Sequence, residues 1–328
     1  MGIRLAIGQF TALDAETAVF GRQLGIRSVQ VNTPELPGDE YWSIADLERL
    51  RRDCEAEGYR LESIENIPLH FYGDVMTCGP RRDDQLECVA RTVRNMGAAG
   101  INTLGYHFMP SLVWRTGLEP AGRGGARVTV FDSDHLGQGN HAKVPGTDID
   151  HPLSNETIWA SYATFLRSIL PVAEAAGVVL ALHPDDPPVR ELGSSARLLA
   201  DTRDFLRAEQ LASGSPAWAL NLCLGSISEM PGGAINVHDM IKEFVPRGKV
   251  RCVHFRDVIG SVPRFQECFL GEGNFDPLAV MTHLRSSGFD GFILDDHVPE
   301  IVNDTLWGHR SRAYALGYLQ ALLDVTRT

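Results

Sequence analysis

The chain has 328 residues, 44% hydrophobic and 22% charged, with a formal net charge of −12. This is ordinary globular composition, and the chain is long enough to bury a core without disulfide staples. The acidic balance argues against nucleic acid and anionic membrane surfaces as partners, because phosphate contacts need clustered Lys and Arg.

Short β-rich runs alternate with longer stretches of helical periodicity. Residues 3–10 (IRLAIGQF) read as the first strand, and 14–24 as the first helix. SVQVN (28–32) precedes a helix over 44–57, which Ser43 caps and Asp46 follows in the first turn. RLESIEN (60–66) precedes a helix over 83–98, and INTLGYHF (101–108) is the fourth strand. An irregular stretch then runs from 109 to about 154 and contains AGRGGARVTVFD, patterned as a small hairpin. It exceeds the ~12–15 residues usual for structureless loops and is expected to serve function. His135, His141 and His151 within it read as solvated loop residues. After a helix over 156–176 come strand VVLALH (178–183), a helix over 202–212 and strand WALNLCLG (218–225). A helix over 237–244, strand VRCVHFRDV (250–258), a helix over 277–286, strand GFILDDH (291–297) and a helix over 306–325 complete the chain.

Such alternation demands a parallel sheet, and eight units fit closure into a (β/α)₈ TIM barrel. The chain reads as one domain over 1–328, with the insertion after the fourth strand. The alternative is an open doubly wound sheet, but no G-x-G-x-x-G or phosphate-loop pattern follows any strand. The opening residues form too short an apolar run for a signal peptide, and no run of ~18 apolar residues exists to span a membrane. The six cysteines form no CxxC pair and read as the thiols of a cytoplasmic protein.

In such barrels the chemistry sits at the C-terminal strand ends. Strand five ends in His183, strand six carries Cys223, strand seven His254, and strand eight Asp295, Asp296 and His297. Period-two alternation puts Val179, Ala181 and His183 on one face. Ala219, Asn221 and Cys223 likewise share a face, as do Cys252, His254 and Arg256, and Phe292, Leu294 and Asp296. Taken singly, a strand-end His is usually a hydrogen-bonded structural residue, a strand Cys a small buried hydrophobe, and an Asp a cap or turn former. Together, four metal-capable side chains on consecutive strands can converge on one divalent ion. Imidazole, thiolate and carboxylate suit Zn²⁺, Fe²⁺, Co²⁺ or Mn²⁺. Arg256 is a candidate clamp for a carboxylate, or else a strand-end ion pair. His297 has a pKa near neutrality and is a candidate acid or base. Glu65, Asn66 and His70 after strand three, and Tyr106 and His107 after strand four, are candidate pocket residues. Trp114 and Arg115 open the insertion and are candidates for a lid.

At these residues the sequence resembles the mannonate dehydratase family, a branch of the xylose-isomerase-like barrels. The matching stretches are ESIENIPLH, GYHFMPSLVWRT, ALHPDDPP, NLCLGS, VHFRDV, LDDH and RAYALGYLQALL, spread over nearly the whole chain. HPDDPP is the most specific. The resemblance implies a Mn²⁺ or Fe²⁺ hydro-lyase that converts D-mannonate to 2-dehydro-3-deoxy-D-gluconate and works as a homo-oligomer. It places His183, Cys223, His254 and Asp296 as metal ligands, and His297 at a position associated with proton transfer. Arg115, Glu65, His70, Tyr106 and His107 are then expected to touch substrate. Three positions depart from the family pattern. Gln266 stands where Phe-His-Glu has its His, Trp307 where a catalytic tyrosine belongs, and LDDHV replaces RPDHG. An indole cannot exchange a proton near neutral pH, so Trp307 is expected to contact substrate rather than carry a proton.

Three functions follow. The first is a metal-dependent lyase acting on a sugar acid. The second is a sugar isomerase, epimerase or keto-sugar β-eliminating lyase on the same metal scaffold. The third is a binding barrel without catalysis, against which the complete ligand quartet speaks.

Overall fold

The computed structural model describes residues 2–136 and 152–327. Eight parallel strands close into a barrel: β1 (Arg4–Ile7), β2 (Ser28–Asn32), β3 (Arg60–Glu65), β4 (Thr103–Tyr106), β5 (Val179–Leu182), β6 (Trp218–Cys223), β7 (Val250–His254) and β8 (Phe292–Leu294). Each pairs with the next in order, and β8 returns to β1 through Arg4 opposite Phe292 and Leu5 opposite Ile293. Several strands are shorter than the apolar runs that announce them. Gln9, Asn66 and Asp296, just past β1, β3 and β8, have φ of 64°, 64° and 56°. The left-handed region cannot continue a ladder.

Helices fill the connections where the capping residues place them. Asp14 accepts from the Thr17 backbone at 2.7 Å to open Ala15–Gln23. Ser43 does the same for Asp46 at 3.2 Å to open Ile44–Ala56. Ser154 caps Asn155–Ala176, and Gly177 ends that helix at φ 66°. The last helix runs His309–Val325. It begins after the expected 306 because Gly308, at φ 89°, turns the chain first.

Alternation divides the strand residues into two environments. Val29, Val31, Ile64, Leu104, Leu180, Leu222, Val253 and Ile293 pack outward under the helices. Ala6, Cys252, Phe292 and Leu294 fill the barrel interior as a separate cluster. The interior residues nearer the mouth are polar and buried: Gln30, Ser63, Glu65, Asn221 and His254.

A four-stranded antiparallel sheet joins two loops at the mouth. Gly117–Glu119 and Val128–Asp132, from the stretch after β4, continue into Arg264–Glu267 and then Val258–Ser261, the hairpin after β7. The run over 250–258, expected as one strand, is therefore two, broken after His254. Trp114, Phe131, Leu192, Val258 and Phe265 form this sheet's own core. Arg127 and Glu300 exchange backbone hydrogen bonds at 3.0 and 2.8 Å, tying the sheet to the segment after β8. Residues 137–151 of the expected insertion, His141 and His151 among them, lie outside the described residues; His135 is exposed. Among the described residues no helix is long and apolar enough to cross a membrane.

Candidate metal centre

His183, Cys223, His254 and Asp296 meet at the mouth of the barrel. One donor atom from each lies within 4.8 Å of the others, and all four residues are buried. His183 follows β5, and its backbone N–H donates to Tyr106 O at 2.8 Å. Its Nδ1 lies 2.7 Å from Pro184 O. A proton held there leaves Nε2 bare for coordination. His254 ends β7, with Nε2 3.3 Å from Glu65 Oε2 and Nδ1 left without a hydrogen-bond partner. Cys223 ends β6. Burial pushes its thiol up, but the Arg256 charge and the neighbouring His183 and His254 prevail and bring it to about 5. It is thus a thiolate at neutral pH, the form that binds metal.

Asp296 is delivered differently. It lies beyond the end of β8, and its left-handed backbone, which Asp tolerates, turns the carboxylate back into the pocket. Gln9 Nε2 donates to Oδ1 at 2.8 Å and Arg256 Nε to Oδ2 at 2.9 Å. Gln9 and Asn66, with the same unusual backbone, line the same pocket. Strained backbone of this kind gathers at functional sites. Two imidazoles with bare nitrogens, one thiolate and one carboxylate, all buried, suit a divalent transition-metal ion.

Arg256 does not fit the expected role of catalytic carboxylate clamp. Its Nη1 donates to Glu229 at 2.7 Å, and its Nη2 to Asp186 at 2.6 Å and Ser226 at 3.1 Å. The guanidinium is committed to protein carboxylates and does not line the pocket. The ladder ends at His254, so strand alternation no longer governs residue 256. The side chain instead crosses Gly225, where a Cβ would stand 2.3 Å from Nη1. Burial raises the Asp186 carboxyl, but Arg115 and Arg256 pull it below the usual carboxylate range. Burial and the charge of Asp186 push Glu229 up.

Arg115 is likewise committed. It forms a bidentate pair with Asp186, 2.9 Å for the Nη2 contact, and donates to Glu267 at 3.2 Å. Glu267 in turn holds His297, whose Nδ1 lies 2.6 Å from Oε1. Burial disfavours a charged His297, but Asp296 and Glu267 raise it to about 9. Burial would raise Glu267 as well; His297 brings it down to about 2. The Asp296 and Glu267 carboxylates favour the charged form of His297, which stands at the wall of the candidate metal pocket.

The remaining candidates divide. Glu65, Asn66 and His107 line the pocket. Burial holds His107 neutral, lowering it to about 3. Tyr106 does not reach the pocket: alternation points it outward, where its hydroxyl meets that of Tyr162 at 3.0 Å. His70 is exposed on a single 3-10 turn and packs on Phe71 instead. Trp307 donates from Nε1 to Gly8 O at 3.1 Å and packs on Phe10 and Phe20. It borders a second cavity rather than the metal pocket. Gln266 faces away: Phe265 and Glu267 turn inward, while Gln266 donates to Ala121 O at 3.2 Å on the other face. This departure therefore lies outside the pocket. Asp186, Glu229 and Gln9 had no place in the sequence reading. The HPDDPP stretch was the one signal that pointed to Asp186.

The family model described as D-mannonate dehydratase (UxuA) matches residues 10–328. The chain is 27% identical over 333 residues to a mannonate dehydratase of Lactococcus lactis subsp. cremoris (strain MG1363), covering 92% of this chain and 91% of that one. It is 29% identical over 314 residues to a mannonate dehydratase of Streptococcus agalactiae serotype III (strain NEM316), covering 88% of each. The crystal structure of mannonate dehydratase from Streptococcus suis serotype2 superposes with a TM-score of 0.87 at 25% identity, over 99% of this chain and 95% of that one. A structure of L-ribulose 3-epimerase, with a TM-score of 0.61 at 17% identity over 99% of this chain and 96% of that one, shares the barrel alone. With the family match running from the end of β1 through the last helix, the chain belongs to the D-mannonate dehydratase (UxuA) family.

Proposed function

We propose that this chain removes water from D-mannonate to give 2-dehydro-3-deoxy-D-gluconate. One Mn²⁺ or Fe²⁺ would be held by His183, Cys223, His254 and Asp296, with Co²⁺ and Zn²⁺ as substitutes. The observation that carries this reading is the buried quartet standing beside the His297–Glu267 pair. When bound, the cation supplies Lewis acidity toward the carboxylate and adjoining hydroxyl, which acidifies the C2 proton. A general base takes the C2 proton, while His297, charged and held through Nδ1 by Glu267, turns its other nitrogen to the pocket and donates a proton to the departing C3 hydroxyl. The C2–C3 enol left behind tautomerises to the 2-keto acid. Asn66 Oδ1, buried without a partner, accepts a hydrogen bond from a substrate hydroxyl.

The test is to strip the protein with chelator, reload it with each cation, and assay 2-keto acid formed from D-mannonate with semicarbazide. Absence of product from the Mn²⁺- and Fe²⁺-loaded protein would sink the reading. Deuterium uptake from D₂O without loss of water would turn it toward an epimerase.

On this reading residues 1–328 act as one barrel domain with an insertion over about 109–154, in the cytoplasm and as a homo-oligomer. The six free thiols support the compartment. Exposed Val302 and Leu306, beside the mouth, support a second copy covering that rim. Light scattering of the purified protein tests the assembly, and a strictly monomeric mass rules it out.

A further inference from the structure

The metal pocket encloses about 70 Å³. Water takes ~30 Å³ in the liquid, so this is room for roughly two waters. Pockets that enclose small organic ligands run to ~300–1,000 Å³. A second cavity of about 630 Å³ lies next to it. His297 alone belongs to both linings among the described residues.

The outer cavity's charge fixes which end of a sugar acid can enter it. Three carboxylates line it (Glu267, Glu300 and Asp304) against three cationic side chains, Arg127, Arg312 and His297, the last already held by Glu267. Arg127 pairs with Glu300 at 3.1 Å and Arg312 with Asp295 at 3.0 Å. A carboxylate or phosphate gains nothing there, whereas a neutral hydroxylated chain finds acceptors throughout. The acid group belongs in the inner pocket with the cation site.

Part of the outer cavity's wall comes from the sheet at the mouth. Leu118 and Thr129 stand directly across from each other in its outer hairpin, and both line the cavity. That hairpin is held in register with Glu267 through the pairs Phe131–Phe265 and Val130–Gln266. Its distance from His297 is therefore set by the sheet rather than by a loose loop.

Building on the dehydratase reading, we propose that the carbons of the aldonate beyond the reacting pair lie in this outer cavity. Leu118 and Thr129 determine which tails fit, and the tail accepted is neutral and hydroxylated.

Binding and turnover separate this from the reading it builds on. Calorimetry on the Mn²⁺-loaded protein gives Kd for D-mannonate and for a four-carbon aldonate of the same C2 and C3 configuration. The six-carbon acid is expected to bind at least about tenfold tighter, a discrimination that one well-fitted subsite supplies. Leu118→Trp, which narrows the cavity at this wall, is expected to erase most of that ratio, and Thr129→Tyr to do so independently. A misfolded variant would weaken both acids together, so the ratio reports the subsite. The 6-phosphate of mannonate is expected to bind at least about tenfold more weakly than mannonate. An unchanged ratio in the folded variants, or equal binding of the 6-phosphate, overturns the proposal. Failure of the 2-keto acid assay with the binding ratio intact overturns the dehydratase reading and leaves the tail site standing.

Discussion

Arg256 Nε donates to Asp296 Oδ2 at 2.9 Å, while Gln9 holds the other oxygen of the same carboxylate at 2.8 Å. Asp296, a candidate ligand delivered from beyond the end of β8, is thus oriented by partners on β1's exit and β7's exit. Arg256 also neutralises Asp186 and Glu229, neither of which solvent can reach.

Replacing Arg256 by Met takes one cationic partner from three buried carboxylates, although Asp186 keeps Arg115 and Asp296 keeps Gln9. Loss of one partner from a buried ion pair costs about 3–5 kcal/mol. The group behind a metal ligand is typically worth ~10–100-fold in metal affinity. Denaturant unfolding and metal titration of Arg256→Met are expected to show both losses. Wild-type stability together with wild-type metal affinity would refute the role given to Arg256.

His297→Asn removes the imidazolium while leaving the quartet in place. Turnover is expected to fall by ~10²–10⁴-fold, the usual worth of a positioned acid or base. Bound metal, measured by elemental analysis, is expected to stay at the wild-type level. Glu267→Gln removes the carboxylate charge beside His297 Nδ1 while leaving an acceptor there, and is expected to give a smaller loss in the same assay. A fall in turnover matched by loss of metal would assign His297 to metal retention instead.

Gln266→His restores the residue type of the family pattern on the outward face of its strand. Surface changes away from a site usually stay within ~0.5 kcal/mol, about twofold in rate. The kcat/KM for mannonate is expected to change by no more than that. A tenfold rise would mean that residue 266 reaches the reaction after all.

Asp257 gives a pH signature outside the metal quartet. Its Oδ1 accepts from Val258 N at 2.8 Å and Asn274 N at 3.0 Å, and Oδ2 has no partner. Burial raises this carboxyl to about 7, against backbone N–H groups that pull it down. Unfolded, it titrates near ~3.9. Between those values the folded state holds the extra proton. The contribution to stability is therefore complete below ~4 and lost as pH rises through about 7. Asp257→Asn removes this slope, so the variant gains on wild type by about 1–3 kcal/mol between pH 4.5 and 8. Urea unfolding of both proteins at the two pH values is the measurement, and a stability difference that does not change with pH would contradict it.

The barrel and its four strand-end donors were legible because period-two alternation is strictest where small interior residues such as Ala181 and Ala219 leave no second way to face. For Asp296 the face was foreseen, but alternation is not what delivers it. A left-handed residue past the strand end does, and φ is not written in a period-two pattern. Of the two readings of Arg256, the strand-end ion pair is the one the structure contains, and the sequence could not choose between them because the ladder stops at His254. Glu229 was out of reach because it caps a short helix past β6, and Glu267, although it ends the Phe-Gln-Glu stretch, gave no sign of its partners. The path of Glu267 depends on Phe265 pairing with Phe131, a contact between segments far apart in the chain that no local window contains. The turn cluster Gly260–Pro263 could have signalled that hairpin. Tyr106 and His107 show the one-residue rule at work: neighbours at a strand end face opposite layers, and one of the two reaches the pocket.

The sheet at the mouth splices the loop after β4 to the loop after β7. Anyone transplanting substrate scope between related barrels would have to move both loops as one cassette. Exchanging the Leu118–Thr129 hairpin alone would leave Phe265 facing a mismatched neighbour, and the cost would surface at His297, through Glu267, rather than at the graft.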